Sequence, residues 1–456
     1  MKLFDWRCLA VSSALLAVVA AQGETRPQYG GTLHVAVRAA PASLDPADGG
    51  PDSFGRRNVT RLMFETLVTT DDNGRAHALL ATSWQAAPGN QRWQFSLRHG
   101  VKFHDGTALT AEAAATSLRV ANPAWNVSAD GDSVVIERDA ADAEMLAELA
   151  LPRNAIAKRT ADGRPDGTGP FHVVDWQPGK KLTLAAEEGY WRGRPFLDGI
   201  EIEMGKSNRD QILALDVGKA DLVEVGAEWA HRFSLEKRGL ESSAPVELLA
   251  LVFVRDARTP EEKLLREALA LSVERGSMRS VLLQGAGQPA GGVLPNWISG
   301  YGFVFPAEAD LPRARHDREQ VRSAPGWTLG YDGSDPMARL LAERIALNAK
   351  DAGLALQPTS AAMTDLRVVR IPLASGDPWL ALANAAAVAG LPAAKNKGSS
   401  VEDLYAAEQA ALASQKIIPL FHLPVYCAAG AELKNWTVRP DGSWSLADAW
   451  LGSSKP

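Results

Sequence analysis

Eight histidines and one glycine-rich run hold most of the reactive potential of this 456-residue chain, and their spacing excludes most of the reactions they suggest. The histidines are scattered, not set at the intervals a metal site needs. His104 belongs to an "HDGT" turn and His422 to a packed strand. "GAGQPAG", residues 285 to 291, has the glycine content of a phosphate cradle, but its spacing is not that of a dinucleotide fingerprint and it follows a helix. There is no G-x-S-x-G, H-E-x-x-H, P-loop or C-x-x-C. No catalytic residue, metal ligand or cofactor is therefore assigned.

The elements that must position a binding site mix strands and helices from the start. Leu33, Val35 and Val37 alternate on one face of an opening strand, and a helix is predicted over about Asn58 to Leu67. Trp93, Phe95 and Leu97 form another strand, and Thr110 caps a helix from Ala111 to Val120, its hydroxyl meeting a free first-turn amide. Phe171 and Val173 face Leu182 and Leu184 across Pro178-Gly179, a type II hairpin turn. Between that hairpin and the strand "DGIEIEM" lie Tyr190 and Trp191, read as scaffold that covers the sheet edge. Further on, Thr259, Pro260 and Glu262 form a capping box ahead of a stripe of Leu264, Leu265, Ala268 and Leu269. Helices at 335–352 and 401–415 and the apolar return "KIIPLFHLPVYCAAG" complete an α/β pattern of separate lobes, each around its own sheet.

The N-terminal "MKLFDWRCLAVSSALLAVVAAQ" has a charged start, a short apolar run and small residues, and reads as a signal peptide of residues 1–21. The run is about half the roughly 20 residues a membrane span needs, and Cys8 precedes it, so a lipid anchor is not expected. Loss of Lys2, Arg7 and Asp5 takes the net charge from −6 to −7, a poor balance for nucleic-acid binding. Cys427 is then the only thiol, so no internal disulfide can form and the fold must rest on core burial.

Several stretches resemble, in order, the extracellular solute-binding proteins of family 5, which serve peptide, nickel and opine importers: "FETLV", "VKFHDGTALTAEAAATSLR", "GTGPFHVVDWQPGKKLTLAAEEGYWRGRPFLDGIEIE", "QILALDVGKADLVEV" and "IIPLFHLPVY". The resemblance implies a bilobal, type II periplasmic binding protein-like fold with a two-strand hinge and an extra subdomain in lobe one. It implies lobe one at 28–252 plus 427–456, with the subdomain at about 61–165, and lobe two at 253–426, the crossings lying near Leu249 to Phe253 and Leu423 to Cys427. Ligand would be enclosed between the lobes. The resemblance puts Arg57 or Asn58 in the cleft, and Arg153 of "ELALPRNAI" as the guanidinium that clamps a carboxylate. Trp125, Asp377 and Trp379 complete the expected ligand contacts. Peptide-binding members carry an amine-pairing aspartate where this chain has about Ala374, and aromatics of nickel-chelate binders fall at about Leu373 and Gly376. An unpaired ammonium buried there would cost several kcal/mol, so ordinary α-amino peptides are poor candidates. Val254 stands where the family often has asparagine. The implied function is a monomeric periplasmic receptor that hands a small-molecule or short-peptide ligand to an ABC permease of the inner membrane; the alternative is a ligand sensor for a membrane signalling partner.

Overall fold

The structure, a computed structural model, describes residues 26–48, 53–160, 163–302, 304–373, 376–392 and 400–452. The expected signal peptide and Ala374 lie outside the described residues.

One eleven-stranded sheet runs through the described residues. Its first half is built on Thr32–Ala36, which pairs in parallel with Gly199–Glu203 and Leu222–Val225, the hairpin of Phe171–Gln177 and Lys181–Ala186 extending it on one side. Its second half holds Leu366–Pro372, Trp327–Gly330 and Leu356–Thr359, mutually parallel. Two long antiparallel strands, Leu240–Phe253 and Ile417–Ala429, belong to both halves. The second pairs with the first half through Tyr426 to Ala429, and the first pairs with the second half through Glu247 to Phe253. Their mutual register slips three times, between Ser242 and Pro245, between Pro245 and Glu247, and between Leu249 and Ala250.

The run "LLALVF", 248 to 253, is buried at every position because it is covered on both faces. Leu249, Leu251 and Phe253 pack into a core with Leu265, Leu269, Leu341 and Ile345. Leu248, Ala250 and Val252 pack into another with Leu294, Ile371, Leu382 and Ile417. A third core, with Leu33, Val35, Phe171, Ile200 and Leu222, belongs to the first half of the sheet. A separate four-stranded antiparallel sheet, with Arg92–Leu97 and Ser133–Glu137 at its centre, buries Phe95, Val134 and Ile136 against the helix Ala111–Ala121.

Local expectations hold with one shift that matters. The helix expected at Asn58 to Leu67 runs instead over Phe54–Met63. Ser53 caps it by accepting from the Arg56 amide, and Phe64 already has extended backbone. The Tyr190–Trp191 pair is scaffold, but through a polar anchor: the Tyr190 hydroxyl and the Trp191 indole N–H donate to the two carboxylate oxygens of buried Glu65 at 2.8 and 2.9 Å, and Thr168 Oγ1 donates at 2.9 Å.

Candidate functional site

The helix Phe54–Met63 presents Phe54, Arg57, Asn58 and Arg61 at intervals of three, one and three residues, a spacing that lines them along one face. That face forms one wall of a narrow cleft. Pro440, Asp441 and Ser443 of the C-terminal segment and the turn Thr70 to Gly74 continue the wall on the same half of the molecule. Trp297, Leu373 and Gly376 close it from the other half, and Val246 of the shared strand lies between. The two halves approach closely at the rim, where a β-carbon on Gly74 would lie 3.6 Å from the carbonyl carbon of Gly376.

The polar groups of this chamber are ordered. Asn58 is clamped to the C-terminal loop, its Nδ2 donating to the Gly442 carbonyl oxygen at 3.2 Å and its Oδ1 accepting from the Trp444 amide at 2.9 Å. Arg61 pairs with Asp441 at 3.3 Å. Burial lowers the Arg61 pKa, and the nearby charge of Arg57 lowers it further. Burial pushes the Asp441 carboxyl up, but Arg61 and Ser443 together hold it below its ordinary range. Arg57 lays its guanidinium 5.5 Å from the centre of the Phe54 ring. Asp71 accepts from the amides of its own turn and from His77, and Asp72 pairs with Arg439. The acidic side chains on the wall are thus engaged by the protein, and two guanidinium groups stand side by side on the helix.

A second chamber, with about 400 Å³ of space for water-sized groups, shares Phe54 with the first. Glu247 faces it while its neighbour Val246 faces the first, as a strand's alternation requires. Glu247 binds Arg370 at 2.6 Å. Burial alone would lower the Arg370 pKa, but Glu247 and Asp335 keep it above its ordinary value. Glu224 accepts the Arg38 amide at 2.8 Å, and burial pushes its carboxyl up. Pro372, Leu423, Val425 and Tyr426 supply apolar wall.

Of the six side chains expected at a ligand, Arg57 and Asn58 line the first chamber; the other four line neither. Trp125 is buried in the core of the four-stranded sheet beneath the Arg138 guanidinium. Arg153, on the single turn Pro152–Asn154, is held through two hydrogen bonds by Glu148 of the preceding helix. Asp377 caps the helix Pro378–Val388 by accepting from the Leu380 amide, and Trp379 packs in the core with Leu382 and Ala385. His104 and His422 act in scaffold, their Nε2 atoms meeting the carbonyl oxygens of Gly169 and Val293 at 3.0 Å. No group of three metal-ligating side chains occurs among the described residues. Arg61, Trp297 and Arg38 were not anticipated. Once the helix is started at Phe54, the spacing of Arg57 and Arg61 is visible in the sequence; the approach of Trp297 from the other half is not.

Residues 75–368, more than half of the chain, match the family described as "Bacterial extracellular solute-binding proteins, family 5 Middle". Among curated proteins, the nickel-binding protein NikA of Staphylococcus aureus is 27% identical over 241 residues, which are 50% of this chain and 49% of that protein. The oligopeptide-binding protein AppA of Bacillus subtilis is 23% identical over 336 residues, 66% of this chain and 60% of that one. The chain therefore spans about half to three fifths of the length of these two relatives. Among solved structures, NikA from Staphylococcus aureus in complex with Ni(L-His)2 superposes with a TM-score of 0.81 at 19% identity, over 92% of this chain and 99% of that one. AgaA from Agrobacterium tumefaciens R10, in complex with agropinic acid, gives 0.78 at 19% identity, over 93% and 99%. These likenesses establish the bilobal binding-protein fold.

Proposed function

This chain belongs to family 5 of the bacterial extracellular solute-binding proteins, and from that premise we propose that it captures a small carboxylate-bearing solute, peptide-like, opine-like or a metal chelate, between its lobes. Members of the family are receptors and not enzymes, exported from the cytoplasm. No described helix is long and apolar enough to cross a membrane. In our reading the protein is periplasmic and monomeric, loses residues 1–21 on export, and delivers its solute to the permease of an ABC importer. Ligand contacts with both lobes stabilise a closed state that the permease recognises.

The observation that carries the reading is the first chamber. One wall comes from each half of the molecule, and two adjacent guanidinium groups stand on it, Arg61 fixed by Asp441 and Arg57 beside it. A carboxylate suits the guanidinium fork. We put Arg57 and Asn58 at the ligand. We put the lobe crossing at the register slips around Pro245 and opposite Pro424, so that Leu249, Leu251 and Phe253 go with lobe two, whose cores they share.

Native mass spectrometry of the mature protein purified from its own periplasm, beside a denatured control, tests the function. The expected result is a co-purifying small molecule that carries a carboxylate and is lost on denaturation. An empty protein in repeated preparations, with no melting shift across a library of peptides, opines and chelates, would overturn the reading.

A further inference from the structure

Arg38 follows the central strand of the first half of the sheet, and its guanidinium leaves that half altogether. One terminal nitrogen donates to Asp335 Oδ2 at 2.9 Å and the other to Asp332 Oδ2 at 3.0 Å, both acids lying just past the strand Trp327–Gly330 of the second half. All three partners are held before they meet. The Arg38 backbone is fixed by the hydrogen bond its N–H donates to Glu224 Oε2, and Asp332 Oδ1 accepts from the amide and hydroxyl of Ser334. Asp335 Oδ1 caps the helix Pro336–Asp351 through the amides of Met337 and Ala338. Little side-chain freedom is therefore lost when the fork closes. The Asp332 pair is open to water and contributes little; Asp335 is only 3% exposed, so its pair is screened far less.

We infer that Arg38 is a positioning residue that clasps the two lobes and sets how much of the receptor is closed before any solute arrives. This rests on the two-lobe receptor reading. The clasp lies on the wall of the second chamber, away from the arginines of the first, so it adds to ligand contacts without replacing them. A receptor whose competent state is populated in fraction f binds with an apparent Kd equal to the intrinsic value divided by f. Weakening the clasp lowers f, so affinity falls although no ligand contact has been touched.

The test is small-angle scattering of ligand-free protein, its emptiness verified by native mass spectrometry, for the wild type and for Arg38→Ala, Arg38→Lys and Asp332→Ala. The wild type should scatter as this closed structure does. Arg38→Ala should have a larger radius of gyration at an unchanged circular dichroism spectrum, Arg38→Lys should lie between the two, and Asp332→Ala should stay near wild type. If Arg38→Ala does not fold, Arg38→Met, which keeps the apolar stem, takes its place. Superimposable curves for wild type and the Arg38 variants, or an open wild type, would overturn the clasp. Failure to find a solute leaves these curves readable, so the two readings fall separately.

Discussion

At the scale of single residues, the side chains on the helix face of the first chamber are ordered by the protein before any guest is present. Asn58 and Arg61 are tied to the C-terminal segment, and Arg57 lays its guanidinium against the Phe54 ring. Arg57→Ala is expected to weaken a carboxylate ligand by about 1.5–3 kcal/mol, the range for a hydrogen bond to a charged group, or roughly 10- to 150-fold by calorimetry. Arg153→Ala should leave the affinity nearly unchanged, because Arg153 lines neither chamber, and losing its surface pair with Glu148 should cost about 1 kcal/mol of stability or less. A loss as large as that of Arg57→Ala would return Arg153 to the site. His422 bears on stability instead. Burial lowers its pKa from 6.5 to about 4, with the Val293 carbonyl opposing the shift. The unfolded chain binds this proton more readily than the folded one, so stability rises with pH through the window from 4 to 6.5 and is lost as pH falls through it. The full effect is on the order of 3 kcal/mol. Urea unfolding at pH 4.5 and pH 7 should show a steep acid loss that is shallower in His422→Gln, and equal slopes would place the acid sensitivity elsewhere.

At the scale of elements, the helix Phe54–Met63 is the one on which the site depends, and its first turn depends on Ser53. Ser53→Ala removes the cap from the Arg56 amide, one residue from Arg57. It should cost about 1 kcal/mol in the urea midpoint and raise the ligand Kd several-fold, whereas a cap lost on a remote helix, as in Thr259→Ala, should lower stability alone. The helix expected from about Asn58 starts four residues earlier, and Ser53 is the cap residue in the sequence that marks the true start. That displaced start hid the Arg57–Arg61 face. The capping box at Thr259 was legible, and Thr259 Oγ1 does accept from the Glu262 amide at 3.2 Å. Its reciprocal half is shifted, since Glu262 takes the Arg258 amide together with Arg255 and Arg266. Nothing local predicts that Arg266, inside the expected apolar stripe, is fully buried 3.9 Å from the centre of the Phe253 ring. The same holds for Glu65 under Tyr190 and Trp191. Glu65 meets Tyr190 and Trp191 across more than a hundred positions, and such contacts leave no periodic trace. Strand and helix types were legible because each carries its own period; the pairing of the chambers' walls was not, because it arises from packing of remote segments.

At the scale of the whole molecule, the hinge has a built-in reporter. Cys427 lies on the shared strand Ile417–Ala429, fully buried in the core of the first half, with the Trp444 indole N–H 3.4 Å from its sulfur. Burial pushes its thiol up to about 12, so almost no reactive thiolate exists at neutral pH. If the lobes move as rigid bodies about the register slips near Pro245 and Pro424, Cys427 stays within lobe one in both open and closed states. Its modification by a thiol reagent, in the form lacking residues 1–21, should then follow global unfolding and ignore lobe opening. Saturating ligand at about 100 times Kd should slow labelling in proportion to the roughly 2.7 kcal/mol it adds to stability. Arg38→Ala, which loosens the lobes, should leave the labelling rate at the value its unfolding free energy dictates. Labelling that accelerates in that variant without a matching fall in stability would mean that the shared strand itself peels away when the lobes part, and closure would then be a local refolding of the hinge and not a rotation about it.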